Sequence, residues 1–111
     1  MAENKQYITQ VQENGSVMIS EEVLVSIIYH AVEEVENVSL SGKPGKNWGK
    51  GIKVTIPDDD KVEVKCYINV AYNQSVVNAA AAVQEAITNA LESMTGVTVT
   101  SVNVNICGII R

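Results

Sequence analysis

The chain opens its first clear pattern at Gly15-Ser16-Val17-Met18-Ile19, where Val17 and Ile19 fall on one side, as in a short strand. The period then changes. Leu24, Ile27, Ile28, Ala31, Val32 and Val35 recur at helical spacing and predict an amphipathic helix of about 16 residues. Ser20 is placed to cap it, and Glu21 and Glu22 follow where the helix dipole favours negative charge. Its outer face carries Glu22, Ser26, His30 and Glu33.

Alternation returns at Ile52, Val54 and Ile56, with Lys53 and Thr55 between them. Pro57 and three aspartates end this strand, and Lys61 opens the next, so the two form a hairpin. Val62, Val64, Cys66, Ile68 and Val70 then share one face, and Glu63, Lys65, Tyr67 and Asn69 share the other. A second helix follows the cap Asn73-Gln74-Ser75, with Val76, Ala80, Val83, Ile87, Ala90, Leu91 and Met94 as its apolar stripe. Gly96 stands where a helix ends in left-handed geometry. The last strand puts Val102, Val104 and Ile106 opposite Asn103, Asn105 and Cys107. Val97 and Val99 are out of step with it, which predicts a bulge near Thr100-Ser101.

The predicted order is βαββαβ. Each strand has one apolar face and each helix one apolar stripe, so both helices bury their stripes on one side of the sheet. The expected fold is an α+β two-layer sandwich, with two helices on one face of a four-stranded sheet and ferredoxin-like topology. Residues 1–14 read as a flexible or extended lead-in to a single domain over residues 15–111.

With 46% hydrophobic and 19% charged residues and no Phe, the 111-residue chain builds its core from aliphatic side chains. The polar N-terminus lacks the apolar segment of a signal peptide, and no apolar run is long enough to span a bilayer. A cytoplasmic protein without membrane insertion is therefore expected. The net charge of −5 disfavours nucleic acid as a partner. Against that charge, Gly42 to Lys50 reads GKPGKNWGK, and with Lys53 it gathers four lysines, Lys43, Lys46, Lys50 and Lys53.

This segment is not a phosphate-binding loop. Gly45 lies one residue too close to Gly49, Gly51 follows Lys50 in place of a hydroxyl residue, and the segment enters a strand instead of a helix. An RNA-recognition reading needs aromatics on the open sheet face, where parity offers only Tyr67. The loop lysines with Trp48 remain the alternative reading, an RNA- or nucleotide-binding module.

His30 reads as a solvated helix residue. Cys66 falls on the core side as an inert thiol, and Cys107 has the opposite parity, which disfavours a bond between them. Two cysteines and one histidine cannot complete a zinc site, and the aspartates lack calcium-loop spacing. The expectation is a protein that is not an enzyme and uses no cofactor and no metal. Lys43, Lys46, Trp48, Lys50, Lys65 and Tyr67 are the candidate partner surface.

Val83-Gln84-Glu85, Met94-Thr95-Gly96-Val97 and Val102-Asn103-Val104-Asn105 ending in Cys107-Gly108-Ile109 resemble the alkaline shock protein family of Gram-positive bacteria. Gly15 to Ser20 and Lys50 to Val54 fit the same pattern, so the resemblance covers roughly residues 15–110. It departs at Ala71-Tyr72-Asn73, at Ser75-Val76-Val77-Asn78 and at the alanines Ala81 and Ala82. The resemblance implies a non-enzymatic general stress protein of the envelope stress response and envelope homeostasis. Such a scaffold acts through protein contacts, with a membrane-embedded partner or by self-association.

Overall fold

The computed structural model describes residues 7–40, 51–58 and 60–110. In chain order these form β1 (Tyr7–Gln12), β2 (Gly15–Ser20), α1 (Glu21–Glu33), β3 (Val38–Leu40), β4 (Ile52–Asp58), β5 (Lys61–Ala71), α2 (Val76–Thr95) and β6 (Thr98–Ile110). The ferredoxin-like α+β sandwich read from the sequence is the architecture, with one exchange of strands. The main sheet has four strands, β3, β4, β5 and β6, and both helices lie on one of its faces.

β5 is the spine of the sheet. It pairs antiparallel with β4 over its first half and with β3 at its far end, through Val38↔Val70 and Leu40↔Ile68. Its other edge is covered by parallel β6, from Lys61↔Thr98 to Ala71↔Ile110. The period-two pattern does the sorting. Val62, Val64, Cys66, Ile68 and Val70 are buried under the helices, whereas Glu63 and Lys65 are exposed. β4 repeats this with Ile52, Val54 and Ile56 buried. The expected bulge sits at Thr100, because Val62 pairs with Val99 while Glu63 pairs with Ser101.

The strand over residues 15–20 does not join the main sheet, as the four-strand expectation had it. It pairs instead with β1, inside the stretch read as a lead-in, in the register Ile8↔Ile19. Ile8 is fully buried and Ile19 packs against the core, so the hairpin has its own anchor. The fourth place in the main sheet goes to β3, which the left-handed turn at Asn37 (φ 68°) delivers to the β5 edge.

Both caps form as expected. The Ser20 hydroxyl accepts the Val23 N–H at 3.4 Å, and Ser75 accepts the Asn78 N–H at 3.2 Å. Gly96 closes α2 with φ 73°, its N–H donating to the Glu92 carbonyl. The Gln10 side-chain amide donates to the Thr95 carbonyl, so the hairpin docks at this helix end. A Cβ on Gly96 would lie 3.2 Å from that amide nitrogen.

Two details of the expected stripes are corrected. Val25 of α1 is buried, since the helix touches both the sheet and α2 and needs a wider apolar face. Met94 of α2 is 69% exposed and Val76 37%, because the inward face of the helix is Val83, Ile87, Leu91 and Thr95, flanked by the half-buried Ala79, Ala86 and Ala90.

Candidate functional site

The face of the sheet away from the helices is built by the odd residues of β5 and their neighbours in register. One row across it reads Lys53, Lys65 and Asn103, and the next reads Thr55, Glu63 and Ser101. Tyr67 lies beside Asn105, and Asn69 lies between Ser39 and Gly108. Lys53 and Lys65 are thus directly opposite on antiparallel strands, and both are exposed. A like-charge pair at this position costs about 0.2–1 kcal/mol relative to a neutral one. Glu63 stands diagonal to Lys53 and offsets part of that repulsion. The Lys65 ammonium also lies 5.6 Å from the centroid of the Tyr67 ring, within reach of its negative π-face.

With Lys61, whose ammonium lies 3.8 Å from the Asp58 carboxylate at the hairpin end, this face carries three cations against two anions on a chain whose net charge is −5. Lys65 and Tyr67, both expected at the partner surface, are brought together on β5. Lys43, Lys46, Trp48 and Lys50 lie outside the described residues. Lys53, read as part of the lysine-rich segment, stands within β4. Asn103 and Asn105 were visible to parity on β6, but only the register shows that they extend the lysine and tyrosine rows.

The outer face of α1 carries a smaller cluster. His30 Nδ1 is 3.8 Å from Glu33 Oε1, and the Tyr29 ring meets the His30 ring edge-on at 5.6 Å. A hydrogen bond to the Glu33 carboxylate raises the Tyr29 phenol above its ordinary pKa, with partial desolvation and the carboxylate charge adding to it. Among the described residues, no three His, Cys, Asp or Glu side chains converge as metal ligands. Nor is any described helix long and apolar enough to cross a membrane.

The two thiols are free and sit in opposite environments, Cys66 buried and Cys107 exposed. Burial pushes the Cys66 thiol up to about 11 from 9.0, because the interior disfavours the thiolate. A thiol reagent added to the native protein at pH 8 should label Cys107 alone, with Cys66 reacting only in denaturant. The raised value has a second consequence. The unfolded chain loses this proton near pH 9 and the folded chain near pH 11, so the stabilisation is complete below the first value and lost as pH rises through the second. A decline on the order of 2 kcal/mol, absent in Cys66→Ala, is expected in urea titrations across that window. Rapid labelling of both thiols in native protein would contradict the burial.

Comparison with known proteins places this geometry. Residues 9–111 match the alkaline shock protein 23 family, described as having a cell envelope-related function. A curated relative, "Uncharacterized protein YqhY" of Bacillus subtilis (strain 168), is 34% identical over 105 residues, spanning 86% of this chain and 77% of the relative. Among solved structures, a double variant of the MamM CTD superposes with a TM-score of 0.53 at 18% identity, covering 78% of this chain and 92% of that one. A copper form of another MamM CTD variant gives 0.53 at 17% identity, covering 78% and 95%. At these identities the likeness is one of fold alone.

Proposed function

Because the chain belongs to the alkaline shock protein 23 family, whose function is cell envelope-related, we propose that it is a non-enzymatic adaptor of the envelope stress response. It works from the cytoplasm through protein–protein contacts made by the open sheet face. The observation that supports this most is the Lys53–Lys65 pair. Two cations held directly opposite each other, next to an aromatic ring, oppose the fold slightly and favour any partner that brings carboxylates between them. The matching partner is a protein with an acidic segment, embedded in the membrane or tethered to it. The adaptor then reaches the envelope without inserting into the bilayer itself.

Co-purification of an endogenously tagged copy, with the membrane fraction kept separate, tests the reading. The native protein should retain a partner that Lys65→Glu loses by about tenfold or more, the equivalent of about 1.4 kcal/mol. The same change turns a like-charge cross-strand pair into an opposite-charge pair, so stability should hold or rise by about 0.2–1 kcal/mol. A partnerless protein after cross-linking in its own lysate would refute the adaptor role. Retention of RNA, falling steeply with salt and lost in Trp48→Ala, would favour the nucleic-acid reading in its place.

A further inference from the structure

The two longer outer strands of the main sheet, β4 and β6, differ in how they are guarded. β4 carries Lys53, Pro57 and Asp58, the residue types that discourage strand pairing at an edge. β6 runs for 13 residues, Thr98–Ile110, without one charged residue or proline. Its last two isoleucines are exposed, Ile109 at 49% and Ile110 at 43%.

The backbone bonds show which groups β6 turns outward. Thr98 N–H donates to Asp60 O at 2.8 Å, and Tyr72 N–H donates to Ile110 O at 2.7 Å. On the opposite side, Tyr67 N–H reaches Gly51 O and Ala71 N–H reaches Asn37 O. Even residues along β5 therefore face β6, and odd residues face β4 and β3. The register from Glu63↔Ser101 to Ile68↔Ile106 is unbroken between two shifts. In it Ser101, Asn103 and Asn105 spend their backbone groups on β5, and Val102, Val104 and Ile106 point theirs to the outer edge. The Gln84 amide agrees, reaching Val102 O at 3.0 Å from outside the sheet.

We propose that this outer edge of β6 docks a second copy of the chain, antiparallel, about a twofold axis at Val104. The two four-stranded sheets then form one of eight. Val104 exchanges both hydrogen bonds with Val104 of the partner subunit, and Val102 does so with Ile106 of the partner subunit. The Val102 carbonyl has a second lone pair, so it accepts both the Gln84 amide and the new N–H.

Neutrality selects this occupant. Self-pairing sets each residue against a copy of itself or of a near neighbour, so any charge on the strand would meet its like. On the open face Asn103 meets Asn105 of the partner subunit, two uncharged amides. The stripe of α2 that shares its side with Gln84 comprises Val77, Ala81 and Thr88, with Val77 77% exposed, and the exposed Glu85 and Glu92 follow one turn after Ala81 and Thr88 at its outer margin. On a chain of net charge −5, an edge strand without charge suits a second copy better than an acidic or basic partner. The assembly deepens the adaptor reading, and rests on it only for the use made of the dimer.

Sedimentation of the full chain from micromolar to millimolar concentration, with residue-resolved hydrogen exchange, tests the interface. A dimer is expected in which the Val104 and Ile106 amides are protected and lose protection on dilution. The Asn103 and Asn105 amides, bonded to β5, should stay protected throughout. Val104→Pro removes an outward N–H and leaves the β5–β6 ladder complete. Ala81→Glu places like carboxylates on the helix flank at an exposed site that keeps the fold. Each should raise the dissociation constant by about tenfold or more, the equivalent of about 1.4 kcal/mol. A monomer at every concentration would overturn the proposal, as would a dimer whose Val104 and Ile106 amides exchange freely or one indifferent to Ala81→Glu. Loss of the membrane partner in Lys65→Glu with the dimer intact, or the reverse in Ala81→Glu, separates this inference from the adaptor reading.

Discussion

Ile68→Ala should destabilise the protein by about 2–5 kcal/mol, the range for removing a large aliphatic side chain from a tight core. Ile68 is fully buried on the central strand, opposite Leu40 on one side and Ile106 on the other. It is the point where β3, β5 and β6 meet beneath the helices, so every neighbour is already held by its own pairing and the space cannot close. The loss corresponds to a melting temperature lower by roughly 10–25 °C for a domain of this size. Glu63→Ala, on the opposite face of the same strand, should stay within about 0.5 kcal/mol. Chemical denaturation of the two variants side by side is the check. Equal midpoint shifts would mean that the two faces of β5 are not inside and outside.

The next largest effect is expected at Ile8. Ile8→Ala should cost about 2–3 kcal/mol, the low end of the same range, because the hairpin of β1 and β2 can settle into part of the space. Ile8 is the fully buried side chain of that hairpin, with Ile19 beside it and the Gln10 amide bonded to the Thr95 carbonyl. Elsewhere in the hairpin Met18 and Val17, opposite Thr9 and Gln10, are 61% and 42% exposed and contribute little. The loss should therefore be local. Amide exchange should accelerate in residues 7–20 while β5 keeps its protection. Equal acceleration in both would show that the hairpin and the main sheet open as one unit.

Local pattern carried much of this architecture. The caps at Ser20 and Ser75, the Gly96 stop, the alternation of β5 and the bulge at Thr100 all follow from residue type and spacing. What spacing could not supply was partnership. The strand at residues 15–20 alternates equally well whether it lies beside β5 or beside β1, and the choice is settled by Ile8 and by arrival of Val38–Leu40 at the β5 edge. β3 is too short for its own period to stand out. Met94 continues the helical stripe on paper, yet the inward face of the last turn of α2 belongs to Leu91 and Thr95. The candidate site divides in the same way. Lys65 and Tyr67 are placed together by parity alone. That Lys53 stands against Lys65 depends on the hairpin register, including its shift between Thr55 and Asp58, and so on contacts across strands.

The parallel pairing of β5 with β6 sets an order on how the chain acquires its structure. β4 and β5 are joined by a short turn and can zip together in microseconds. β6 reaches its place only after the whole of α2 has been spanned, and the loop-closure entropy of that crossover is lost before any of its contacts form. During synthesis the central strand thus waits with one flank bare until the final residues of β6 emerge. Val62, Val64 and Ile68 remain open to misplaced neighbours for that interval, and the nascent chain is at its most aggregation-prone until β6 docks.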